Sequence, residues 1–190
     1  MNNGKSITAY SSGSKFFHWT VALILILMLA GSFFLDDVPK QWQGMAYMMH
    51  KSFGLTILAL MILRVIWIIR TGKPPLPMTV PAWQVFAARF VQYALYVFVI
   101  LMPVVGWVMS VAAGRPPQLF GLVTLTLPGI PEDKSLAHFL AESHEVIAWI
   151  IIALLVLHVA GAFKHYFIDK DNVVQRMLPG RRGIDEVSHL

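Results

Sequence analysis

Apolar residues along this chain gather into four long runs, at about 19–35, 52–69, 90–113 and 146–163. Each is near the ~20 residues that an α-helix needs to cross the hydrocarbon of a bilayer with some tilt. The polar stretches between them carry the stop and start signals. Ser14 is the expected N-cap of the first helix, and Asp36-Asp37-Val38-Pro39 ends it. The second helix starts near Gln41 and runs to Arg70, with Trp42 and Tyr47 at interfacial depth. Three prolines in four positions, Pro74, Pro75 and Pro77, then forbid helix. The third runs from about Pro81 to Ala113, with a kink expected at Pro103 and Gly106. Gly114 to Asp133 is the longest connection and is apolar for a loop. It is expected on the membrane surface or across the end of the bundle. The fourth helix begins near Asp133, its first turns standing outside the hydrocarbon. Residues 1–13 and 169–190 read as polar tails.

Composition turns this pattern into a class. Of 190 residues, 57% are hydrophobic and 13% charged, whereas a soluble domain carries about 25% charged. Four helices and their loops use the whole length. The expectation is therefore all-α: a transmembrane four-helix bundle, a single domain over 1–190. With no cysteine, disulfides, Cys-ligated iron–sulfur clusters and covalently attached haem are excluded. The net charge of +5 does not indicate nucleic acid, because the basic residues flank apolar runs rather than form a patch. With the N-terminus inside, eleven of the fifteen Lys and Arg face the cytoplasm, Lys5, Arg181 and Arg182 among them. Lys40, Lys51, Arg115 and Lys134 face out. The positive-inside rule thus puts both termini in the cytoplasm. Reading the first run as a cleaved signal peptide would discard His18 and leave an odd number of spans.

Histidines carry the candidate chemistry. His144 and His158 on the fourth helix are 14 residues apart, which is ~21 Å along the axis and within ~40° of a whole number of turns. One helix face therefore offers two imidazoles, one near each membrane surface. His50 opens the apolar part of the second helix at the outer side, and His18 opens the first at the inner side. The four sort into an outer pair, His50 with His144, and an inner pair, His18 with His158. A lone boundary histidine is ordinarily an interfacial side chain. Two on one face, each at the depth of another, point instead to ligands. Iron in a porphyrin takes two axial imidazoles on opposite faces, and a bundle core is where such cofactors sit. Zinc or copper transport also uses histidine, but no carboxylate accompanies these inside the spans.

The other three histidines fit less well. His138 faces elsewhere, and His189 lies in the tail. His165, seven residues past His158 and on the same helical face, competes for the inner iron, and its place at the membrane edge favours His158. Arg64 lies 14 residues after His50, near the inner depth, where a charge costs on the order of 2.5–3.5 kcal/mol at mid-membrane. A haem propionate is a natural partner, and snorkelling to headgroups is the alternative. Gly54, one turn after His50, suits either close approach of a flat macrocycle or plain helix packing.

Together these residues resemble the bacterial cytochrome b561 family. The carriers are Phe17-His18-Trp19, His50 with Gly54 and Arg64, Ser143-His144-Glu145, His158, and Lys164-His165-Tyr166-Phe167-Ile168-Asp169-Lys170-Asp171. The resemblance runs from about Lys15 to Pro179. It implies two b-type haems ligated by His18, His50, His144 and His158 in the bacterial inner membrane. It also implies electron transfer with quinone, ubiquinone in particular, as the lipid-side partner. Some members of the family are held to oxidise superoxide at the periplasmic face, and related cytochromes anchor hydrogenases or dehydrogenases. The expected function is a shuttle between the periplasmic side and the quinone pool, from superoxide or a redox protein partner. The competing expectations are a membrane-anchor subunit and a metal or proton transporter. Lys51 and Arg115 at the outer side suit attraction of an anion. The tail after Pro179 matches nothing in that resemblance.

Overall fold

A computed structural model describes residues 9–74 and 80–179. Lys5, Arg181, Arg182 and His189, together with Pro75 to Pro77 of the proline-rich break, lie outside the described residues. The elements are α1 (Ser12–Ser32), α2 (Lys40–Thr71), α3 (Ala82–Ala112), β1 (Gln118–Leu119), β2 (Val123–Thr124) and α4 (Lys134–Phe163). A π-helical turn, Lys164–Asp169, continues directly from α4.

Helix boundaries follow their capping chemistry. Ser11, not Ser14, caps α1: its backbone is extended and its hydroxyl accepts the Ser14 N–H at 3.3 Å. Ser14 is drawn inside the first turn, buried, with its own hydroxyl 3.0 Å from that of Ser11. The cluster of small polar residues at 11–14 offered several equivalent caps, and burial of Ser14 and Lys15 selects the earliest. Asp133 caps α4 as expected, accepting from Ser135 and Leu136. Pro39 and Pro81 precede α2 and α3, where a missing N–H is harmless. α2 stops at Gly72, whose φ of 75° only glycine adopts without strain. α3 runs unbroken through Pro103, whose ring is buried.

The helices pack in chain order, α1 on α2, α2 on α3 and α3 on α4. Val21, Ile57, Met61, Val99, Ile147 and Ile151 make the buried core, one to two residues from each helix. Large apolar side chains such as Leu27, Leu63, Ile69, Phe90, Val97 and Leu157 point outward. In water that surface would forfeit ~25 cal/mol for every Å² left uncovered, so its solvent is lipid. All four helices are long and apolar enough to cross a bilayer. The chain is an all-α, four-span membrane bundle.

Two irregular segments close its ends. The 114–133 connection folds across the bundle end, and it contains a short antiparallel hairpin that the hydropathy pattern does not announce. Phe120 and Gly121 turn it with φ of 48° and 75°. Ser52, fully buried on α2, anchors it: the Phe120 N–H donates to Ser52 Oγ at 2.8 Å. The Ser52 proton serves the carbonyl of Met48 (2.8 Å) or Gln118 (3.1 Å). Phe53 meets Phe120 edge to face, Trp107 donates to the Leu125 carbonyl, and Lys51 Nζ and Ser110 Oγ both donate to the Arg115 carbonyl. This is the hairpin end. At the opposite, tail end, residues 171–179 fold back on the start of α1. Trp19 Nε1 donates to the Met177 carbonyl at 2.9 Å, and the Tyr10 N–H donates to that of Arg176.

Ser52→Ala strands the Phe120 N–H, a loss of about 1–3 kcal/mol for a buried donor. The expected result is a lower melting temperature with amide exchange accelerated at 118–125. Unchanged exchange there would show that the hydroxyl does not hold the hairpin.

Candidate functional site

The four anticipated histidines meet in two pairs. At the hairpin end, His50 of α2 and His144 of α4 face each other with ring centroids 6.3 Å apart and planes at 65°. At the tail end, His18 of α1 and His158 of α4 stand 6.2 Å apart at 64°. All four are half-buried. The spacing is too long for a hydrogen bond and lies within the range of edge-to-face ring contacts. Two imidazoles sharing one metal ion, with ~2.0 Å metal–nitrogen bonds and ~1.1 Å from nitrogen to ring centre, have centroids ~6.2 Å apart. The donor set fits a bis-imidazole metal at both ends.

Each pair has a distinct surround. His144 turns its Nδ1–Cε1 edge to α3, where Gly106 leaves room for it. Its Nδ1 is buried without a hydrogen-bond partner. His18 Nδ1 lies 3.1 Å from Arg64 Nη2, and the Trp19 ring stands edge-on to the imidazole. The Arg64 guanidinium sits 4.9 Å over the Tyr96 ring, with Nε buried and unpartnered. Among the described residues it pairs with no carboxylate. Lys73 lies over Tyr93 and Tyr96. Tyr10 closes this corner; burial pushes its phenol above the ordinary range, against the pull of Arg64 and Arg176. The tail-end pair therefore lies beside a cationic, aromatic-walled corner.

The competing histidines are engaged elsewhere. His138 is exposed, 3.4 Å from Glu142. His165 does not join the tail-end pair: its Nδ1 is 2.6 Å from Asp171 and 3.4 Å from Asp169. It lies seven residues, ~10 Å along the axis, beyond His158, in the π-helical turn that begins at Lys164. Lys164 Nζ binds Asp169 at 2.5 Å and Gln84 at 3.2 Å, so an ammonium already neutralises that carboxylate. A small cavity of about 330 Å³ lies between Val80, Pro81, Gln84, Asp169 and Asp171. A Cβ built at Gly54 would lie 4.0 Å from that of Pro103, an ordinary contact.

The family description that matches, prokaryotic cytochrome b561, covers residues 9–180. The chain belongs to the prokaryotic cytochrome b561 family. Cytochrome b561 homolog 2 of Escherichia coli (strain K12) is 32% identical over 172 residues, 89% of this chain and 90% of that protein. A protein of Yersinia pestis named probable superoxide oxidase CybB is 28% identical over 167 residues, covering 87% and 93%. Cytochrome b561 homolog 1 of Escherichia coli (strain K12) is 26% identical over 175 residues, covering 91% and 98%. Haem and iron binding and electron transport follow from membership in this family. The matched span of this membrane cytochrome includes both histidine pairs and the folded-back tail segment.

Asp171→Asn removes the charge that His165 faces, worth about 1.5–3 kcal/mol for a hydrogen bond to an ionised group. Faster amide exchange confined to 165–179 is expected, with α1 to α3 unchanged. Uniform protection would deny the pair a role in holding the tail.

Proposed function

We propose that this cytochrome binds two b-type haems, one between His50 and His144 and one between His18 and His158, and links a donor at the hairpin end to the quinone pool. The observation that carries this reading is the pair of centroid separations, 6.3 and 6.2 Å, both matching two imidazoles on one iron. A haem held between two imidazoles would supply one-electron, outer-sphere transfer rather than activation of a further ligand. The protein's part is to hold the ligands in place. α4 presents both of its imidazoles from a single helix, and α1 and α2 bring their partners to them. Arg64, unpaired with any described carboxylate, offers a propionate a forked, charge-assisted contact.

Orientation follows from charge: the tail end lies in the cytoplasm, with both termini, and the hairpin end faces the periplasm across the inner membrane. Superoxide is the proposed donor, supported by the name of the Yersinia pestis relative. Lys51 and Arg115 at the hairpin end give an anion a favourable approach. Two superoxide anions each give up one electron and leave as dioxygen; one ubiquinone takes both electrons and two protons.

An optical spectrum with a haem-to-protein ratio tests the site, and two haems per chain are expected. His50→Ala or His144→Ala should remove one component, and His18→Ala or His158→Ala the other. Retention of full colour with all four replaced would overturn the reading. Mixing the purified cytochrome with superoxide and ubiquinone tests the reaction. Two haems with no reduction of either haem or quinone would favour a membrane-anchor subunit instead.

Arg64→Leu should lower the midpoint potential of the tail-end haem, because a nearby cation favours the more electron-rich state. A shift on the order of 60 mV corresponds to ~1.4 kcal/mol for one electron. A potentiometric titration in which that component stays put would remove Arg64 from the haem's surroundings.

A further inference from the structure

α3 contributes no histidine to either pair, yet it forms the wall against which one ligand rests. A Cβ built at Gly106 would lie 3.0 Å from His144 Cε1, 3.2 Å from Nδ1 and 3.9 Å from Nε2. The first two are tighter than side chains normally tolerate. The ring thus lays its Nδ1–Cε1 edge on bare backbone, with Nε2 the nitrogen farther from Gly106. Met102, one turn earlier on α3, faces the same ring with its carbonyl. Nδ1 nevertheless stays buried without a partner of normal hydrogen-bond geometry. An axial imidazole is ordinarily oriented by the hydrogen bond its second nitrogen donates. Here contact with bare backbone at Gly106 acts beside the Met102 carbonyl in orienting the ring.

We propose that Gly106 is the positioning residue for the hairpin-end ligand: the missing side chain sets the plane and depth of the His144 imidazole. Any Cβ there pushes the ring by a few tenths of an ångström toward His50 or rotates it. The 6.3 Å separation, already that of two imidazoles on one metal, leaves no slack to absorb the push. The distortion is therefore local to one centre. No other described helical glycine reaches a histidine in this way. Gly31 and Gly161 would meet nothing within 4 Å, and Gly54 only Pro103. The spectroscopic half of the test rests on the two-haem reading, and the stability half on packing alone.

Gly106→Ala is compared with Gly161→Ala and the unaltered protein by electron paramagnetic resonance of the oxidised state and by redox titration. Signals are assigned to each end with His50→Ala. Gly106→Ala should shift the signal and midpoint potential of the hairpin-end centre, or lower its haem occupancy, leaving the tail-end centre unchanged. Gly161→Ala should change neither. Two unaltered centres in Gly106→Ala would overturn the proposal. Thermal unfolding in both His144 and His144→Ala backgrounds supplies the second readout. The penalty of Gly106→Ala should vanish once the imidazole is gone, since a double-mutant cycle isolates their contact. An equal penalty in both backgrounds would overturn it. If Gly106→Ala does not accumulate, the double variant should accumulate as His144→Ala does, and failure of both alike counts against the proposal. A haem-free unaltered protein would sink the two-haem reading while leaving the stability cycle to decide the contact.

Discussion

An imidazole placed among lipid-facing helices is expensive unless something takes up its nitrogens, and that cost shapes this bundle. α4 carries two such rings on one face, ~21 Å apart along its axis, and each needs a counterpart at its own depth. α1 supplies one at its start and α2 the other a few turns into its length. The remaining architecture follows from holding those meetings in register. The hydrophobic core is thin, six side chains running down the bundle, so specificity comes from the ends, where polar groups are tied in one arrangement.

Those ends are built differently. At the hairpin end, one buried hydroxyl, Ser52, and one shared carbonyl, that of Arg115, gather the connection onto α2 and α3. Ser52 and Lys51, which donates to that carbonyl, directly follow His50 in sequence, so loop and ligand are set by the same turn of helix. At the tail end the ties are a tryptophan to a carbonyl and a histidine to a carboxylate. There the cationic corner of Arg64 and Lys73 is faced with tyrosine rings rather than carboxylates. Aromatic faces stabilise cations modestly without cancelling their charge, so the corner stays open to an anionic group.

Much of this was legible beforehand, because membrane spans and helical spacing are local signals. Four apolar runs gave four helices, and a 14-residue interval placed His144 and His158 on one face. The pairing with His50 and His18 followed from depth alone. What escaped was decided by tertiary contact or by a change of helical period. Ser11 rather than Ser14 caps α1 because burial, not composition, chooses among adjacent serines. The hairpin at 118–124 has two-residue strands, too short for alternation to register. The π-helical turn at Lys164–Asp169 also went unforeseen, since nothing in the local hydropathy marks where the helical period changes. Nor could the sequence show that the His144 ring, from another helix, comes to lie against Gly106.

The wiring of the pairs also has a bearing on biogenesis. Both draw one member from α4, the last of the four helices to leave the ribosome. Until that segment has entered the bilayer, His18 and His50 have no opposite number, and two half-sites wait in an unfinished assembly. Completion of both histidine pairs is therefore a single, late event set by the insertion of one helix, and truncated chains lacking it would contain neither.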